Sequence, residues 1–78
     1  MDKTLTTIKE ALTGHSMMFK GLSFLNQDSD IMTFKTFSES LGEELFLYLD
    51  CNSGDIVCSF TDKNIGIYLT KIQMNERT

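Results

Sequence analysis

Two runs of strictly alternating residues, joined by a turn sequence, constrain this chain more than anything else in it. Leu45, Leu47, Leu49 and Cys51 alternate with Phe46, Tyr48 and Asp50, and Ile56, Cys58 and Phe60 alternate with Val57, Ser59 and Thr61. A period of two belongs to a β-strand with one face turned to a core. Between the runs, Asn52-Ser53-Gly54-Asp55 is turn chemistry. A two-residue turn at Ser53-Gly54 sets Cys51 against Ile56, Leu49 against Cys58 and Leu47 against Phe60, apolar on apolar each time. A slip of one residue would bury the polar set instead.

The next break, Asp62-Lys63-Asn64, extends the pattern. Pairing Asp62 with Ile65 also pairs Phe60 with Ile67 and Cys58 with Leu69. The outcome is a three-stranded meander with one continuous apolar face, and that face needs a cover. Leu5, Ile8, Ala11 and Leu12 recur at helical spacing from Thr4 to Thr13, and Gly14 stands where a helix would end. A helix this short is not stable alone, so it lies on the sheet.

Residues 17–38 admit two patterns. As strands, Met18, Leu22 and Phe24 face Met32 and Phe34 across a loop at Gln27-Asp28-Ser29, supported by Thr33, Phe34, Thr36 and Phe37. As helices, the rhythm Leu5, Ile8, Leu12, His15, Phe19, Leu22 runs through Gly14, and 30–41 forms a second helix before Gly42. The strand pattern is preferred. The expectation is therefore one α+β domain spanning residues 1–78, with an N-terminal helix packed on one face of a five-stranded antiparallel meander.

Composition narrows function by exclusion. With 78 residues, 41% hydrophobic and 23% charged, the chain has material for one small globular domain and little for a lid or second lobe. No apolar run approaches the roughly 20 residues of a membrane helix, and Met1-Asp2-Lys3-Thr4-Leu5 does not begin a signal peptide. Two cysteines, Cys51 and Cys58, are few for a secreted scaffold, so both are expected as reduced thiols in the cytoplasm. Net charge is −4, and the acids are concentrated. Asp28, Asp30, Glu39, Glu43, Glu44, Asp50, Asp55 and Asp62 face one base, Lys35, between Asn26 and Asp62. Such a middle repels nucleic-acid phosphates and anionic lipid, so neither direct nucleic-acid binding nor membrane binding is expected.

Catalytic patterns are sparse. His15 is the single histidine, at the helix end, with no partner supplied by its neighbours. Cys58 falls inside the apolar face, where a thiolate is disfavoured. Asp28-Ser29-Asp30 resembles a fragment of a calcium loop without the glycine and closing glutamate that complete one. The five glycines are scattered singly, so no phosphate loop exists. The expectation is a non-enzymatic protein with no catalytic residue, no metal and no cofactor.

Two surface features remain. The far side of the sheet carries Phe19, Leu25, Ile31, Phe37, Phe46, Tyr48, Val57, Tyr68 and Ile72, more apolar than a solvated face should be. Its aromatics, Phe19, Phe37, Phe46, Tyr48 and Tyr68, are the residue types that dominate binding contacts. The turns form acidic clusters, with Asp28, Asp30, Asp50 and Asp55 at one end of the sheet and Glu39, Glu43, Glu44 and Asp62 at the other. The leading expectation is a small adaptor or inhibitor that binds another protein, basic in one version, and dimerises through the aromatic face. An acidic mimic that occupies a nucleic-acid site, as small antagonists from mobile elements do, is the second. A small-ligand binder with the sheet curled around a pocket lined by methionines and aromatics is the third.

Overall fold

The computed structural model describes residues 2–60 and 66–73. One helix, α1 (Asp2–Leu12), precedes five strands: β1 (Phe19–Asp28), β2 (Ile31–Ser38), β3 (Glu43–Asp50), β4 (Asp55–Phe60) and β5 (Gly66–Lys71). The strands form one antiparallel sheet in the order β1-β2-β3-β4-β5. This is the α+β meander expected from the sequence, and the strand pattern holds for residues 19–38. Gly14 ends the helix at φ +82°, a conformation that costs glycine nothing, so the rhythm continuing to Leu22 is not followed.

Alternation gives every strand an inner and an outer side. Inside lie Met32, Phe34, Thr36 and Ser38 of β2, Leu45, Leu47 and Leu49 of β3, and Ile56 and Cys58 of β4, all buried. Ile8 and Leu12 of α1 complete this core, with Leu5 and Leu22 packed against its edge. Phe24 meets Phe34 edge-on, ring centroids 5.6 Å apart. Two hydroxyls are buried here, and both are satisfied. Ser38 Oγ donates to Met17 O (2.5 Å) and accepts from Leu41 N (3.2 Å). Thr36 Oγ donates to the carbonyls of Lys20 and Gly21.

The strand registers differ from the expected ones by two residues at both C-terminal turns. Leu49 pairs with Ile56, Leu47 with Cys58 and Leu45 with Phe60. Across the next hairpin Cys58 pairs with Ile67 and Ser59 with Gly66. The expected Asp62–Ile65 pair lies outside the described residues. A shift of two keeps every side chain on its own face, so apolar matching alone does not select between the registers.

Turn chemistry selects the register at β3–β4. The loop has four residues rather than two: Gly54, at φ +85°, donates its N–H to Asp50 O (2.7 Å). Asp50 Oδ1 accepts from Asn52 N (2.8 Å) and Ser53 N (3.3 Å). The β2–β3 loop repeats the device. Gly42, at φ +69°, donates to Ser38 O (2.7 Å), and the Ser38 hydroxyl accepts from Leu41 N. In both, an oxygen-bearing side chain opens the loop and a left-handed glycine closes it four residues later.

Bulges alter the faces locally. On β1, Gly21 (φ +71°) and Leu25 have no partner on β2, and the register shifts at each. A further irregularity lies opposite Ile56 and Val57, where Leu69 is the extra residue. The β1–β2 turn is Ser29-Asp30, one residue later than expected, with Ser29 at φ +59°. Met18 is 55% exposed at φ +53°, and Met17 packs on the core in its place.

Candidate interaction surface

With α1 on the inner side, the outer side of the sheet is left without a covering element among the described residues. Its side chains fall into four rows across the strands. At the end bearing the β1–β2 and β3–β4 turns, Asp28, Ile31 and Asp50 stand in line, followed by Asp55 and Lys71. Next come Asn26, Thr33, Tyr48, Val57 and Tyr68. Then come Ser23, Lys35, Phe46, Ser59 and Gly66, and finally Lys20, Phe37 and Glu44.

Each row carries a large apolar side chain that lies partly in water. Tyr68 is 58% exposed, Phe37 39% and Ile31 37%, while Phe46, Tyr48 and Val57 are half-buried by their neighbours. Phe46 and Tyr48, two apart on β3, hold their ring centroids 6.5 Å apart. Bulk is distributed unevenly: the third row dwindles to Ser59 and Gly66, beside the full ring of Tyr68.

Three members of the expected face fall outside these rows, and the first, Leu25, is the exposed extra residue of the second β1 bulge. Phe19 pairs with the buried Ser38, so it faces inward and packs half-buried against the core, beside His15 at 5.3 Å. The bulge at Gly21 changes the strand's parity, and counting by twos back from Leu25 missed it. Ile72 is buried in the core, because the extra residue at Leu69 reverses the alternation in the same way. Phe37, Phe46, Tyr48 and Tyr68 stand on the outer face as expected, with Ile31 and Val57.

The acidic residues gather at the two ends of the sheet, but mainly on turn work. Asp50 holds its loop, Asp30 Oδ2 accepts from Asn52 Nδ2 (2.8 Å), and Asp55 Oδ2 accepts from Ser53 Oγ (3.0 Å). Asp55 also lies 3.7 Å from Lys71. At the other end Glu39 meets Lys20 and Glu44 meets Lys35, each at 3.3 Å, and Glu43 is exposed. Such exposed pairs contribute little net stability. Asp28 is exposed beside the first turn, and Asp62 lies outside the described residues. Lys20 and Lys35 thus bring positive charge onto a face that the sequence presented as aromatic and acidic.

His15 Nδ1 accepts the N–H of Met17 (3.1 Å), which spends one ring nitrogen on a turn. Burial pushes the Cys58 thiol above its usual range, away from a nucleophilic thiolate. Asp50, the last residue of β3, is three positions from Leu47, the partner of Cys58, about 10 Å on strand geometry, and Cys51 follows it in the loop. That is beyond the reach of a disulfide. Among the described residues no three of His, Cys, Asp and Glu come together to hold a metal ion, and no helix is long and apolar enough to cross a membrane.

On the inner side, a cavity of 470 Å³ opens between the end of α1 and the start of β1, lined by Lys9, Leu12, Thr13, Gly14, Phe19, Gly21, Leu22 and Thr36. Among the described residues no methionine lines it, and Phe19 is its one aromatic. Sequence reasoning did not find this group, although an isolated glycine inside a strand pattern, Gly21, is a bulge signal. No family model, curated protein or solved structure matches this chain.

Proposed function

We propose that this chain is a non-enzymatic protein-interaction module whose outer sheet face is covered by a second copy of itself. The observation that carries the reading is the contiguous outer patch of Phe37, Phe46, Tyr48, Val57 and Tyr68, in which Tyr68 and Phe37 lie substantially in water. A patch of this kind on a small domain marks an interface.

Self-complementarity favours a second copy over an unrelated partner. Two sheets stack face to face with their strands nearly aligned. A two-fold axis running across the strands, between the sheets, reverses strand direction and lays the first row of one copy over the fourth row of the other. Asp28 then meets Lys20, and Ile31 meets Phe37. The second row meets the third, so Tyr68 enters the space left by Ser59 and Gly66. Glu44 faces Asp50 but arrives beside Lys35, which neutralises it. An axis along the strands would instead lay Tyr68 over Asn26, where no such space exists, so the seating of Tyr68 favours the axis across them.

A cytoplasmic, reducing setting belongs to the same proposal and rests on thiols too far apart to bridge. Sedimentation velocity across micromolar concentrations tests the interface. The expected result is a dimer for the unaltered chain and a monomer for Tyr68→Lys, a change at the most exposed aromatic of the face. A folded monomer at every concentration removes the self-association reading.

A further inference from the structure

We infer that the cavity between α1 and β1 is a binding site for a small amphipathic anion, an apolar body of a few carbons bearing one carboxylate-like group. The site lies on the opposite side of the sheet from the proposed dimer face and does not depend on it. Its volume, 470 Å³, falls within the roughly 300–1,000 Å³ range of small-molecule sites.

Two backbone irregularities create the space. Gly14 turns the chain out of the helix at φ +82°, and Gly21 forms the bulge on β1 at φ +71°. A Cβ placed on either would meet nothing within 4 Å, so both glycines border open volume. Between them Leu12 at the end of α1 and Phe19 and Leu22 of β1 supply an apolar wall. Thr36 already donates its one hydroxyl hydrogen to the bulge carbonyls and has none left for a ligand.

Charge chooses the ligand's sign. In a chain of net charge −4, the one ionised side chain among the described residues lining this cavity is Lys9. A cation would look instead to the carbonyls at the helix end, but three of these are occupied. Lys9 O accepts from Thr13 Oγ1 (2.8 Å), Glu10 O from Thr13 N (3.3 Å) and Leu12 O from His15 N (3.0 Å). Lys9 is therefore the group left to recognise a charged head, and its ammonium suits a carboxylate.

Amide-resolved NMR titration of the whole chain with octanoate, octanol and octylammonium tests this site. Octanoate should move the amides of residues 9–14, 19–22 and 36, leaving Phe46, Tyr48 and Tyr68 unmoved. Octanol and octylammonium should bind more weakly. Lys9→Gln, an exposed change that leaves the core intact, should weaken octanoate by about fivefold and leave octanol unaffected. Leu22→Trp, which fills the apolar wall, should weaken both ligands. Shifts centred on the outer face, no binding, or equal affinity for octanoate and octanol would each overturn the inference.

Discussion

Ser38 and Cys58 show how much a single buried atom decides in a domain this small. The Ser38 hydroxyl bonds to Met17 O and Leu41 N, tying the segment before β1 to the loop after β2. Ser38→Ala should cost about 1–3 kcal/mol, since both partners lose a bond where water has poor access. Urea denaturation would register this as a lowered midpoint with an unchanged slope. Cys58 carries a pH dependence. Unfolded, its thiol ionises near the ordinary value of 9.0; folded, burial holds the ionisation higher. The native state then keeps a proton that the unfolded chain has released. Stability from this group is complete below that ordinary value and is lost as pH rises through the folded one. Cys58→Ala should therefore flatten the decline in urea midpoint between about pH 8 and about pH 10, while lowering the midpoint overall. Thiol labelling gives a second reading: half-buried Cys51 should react well before Cys58.

Strand and turn elements show what an alternating pattern specifies and what it does not. Leu45, Leu47 and Leu49 announced a strand with its inner side known in advance, and so did Ile56 and Cys58. Pairing partners were another matter, because a shift of two residues leaves all these side chains where they were. The loops Ser38–Gly42 and Asp50–Gly54 settle the register through an oxygen acceptor at the start and a left-handed glycine at the end. That signal stood in the sequence as Ser-x-x-x-Gly and Asp-x-x-x-Gly. The bulges at Gly21, Leu25 and Leu69 were harder to see, and they moved Phe19 and Ile72 off the outer face. Gly21→Ala should cost about 1–2 kcal/mol by forcing an L-residue into a left-handed backbone. Gly66→Ala should be close to neutral for folding, since its backbone is ordinary and a Cβ meets nothing. Paired thermal melts of the two variants would read the difference.

At the scale of the whole molecule, one helix and one sheet enclose a core on a single side. Its centre, Leu47 between Phe34 and Cys58, is fully buried, and Leu47→Ala should remove about 2–5 kcal/mol. In a chain of 78 residues that is a large share of the total, so the variant should be substantially unfolded at moderate temperature, visible by far-ultraviolet circular dichroism. The outer side has no comparable cover among the described residues. If a second copy supplies it, the melting temperature should rise with protein concentration, as for any equilibrium in which association favours the native state. Tyr68→Lys should abolish that dependence without lowering the melting temperature of the dilute protein.

Local order set the element types: alternation made strands, a three-to-four spacing made the helix, and glycines with side-chain oxygens made the turns, because each depends on residues a few positions apart. The identity of the inner face followed from the same short range wherever the strands ran without interruption. Which residues share a row, where Phe19 and Ile72 turn, that lysines join the outer face and that a cavity opens beside Lys9 depended on strand pairing. Pairing joins residues distant in sequence, and each bulge shifts every later position by one. That count is made by the backbone in three dimensions and has no signature in the spacing of side chains alone.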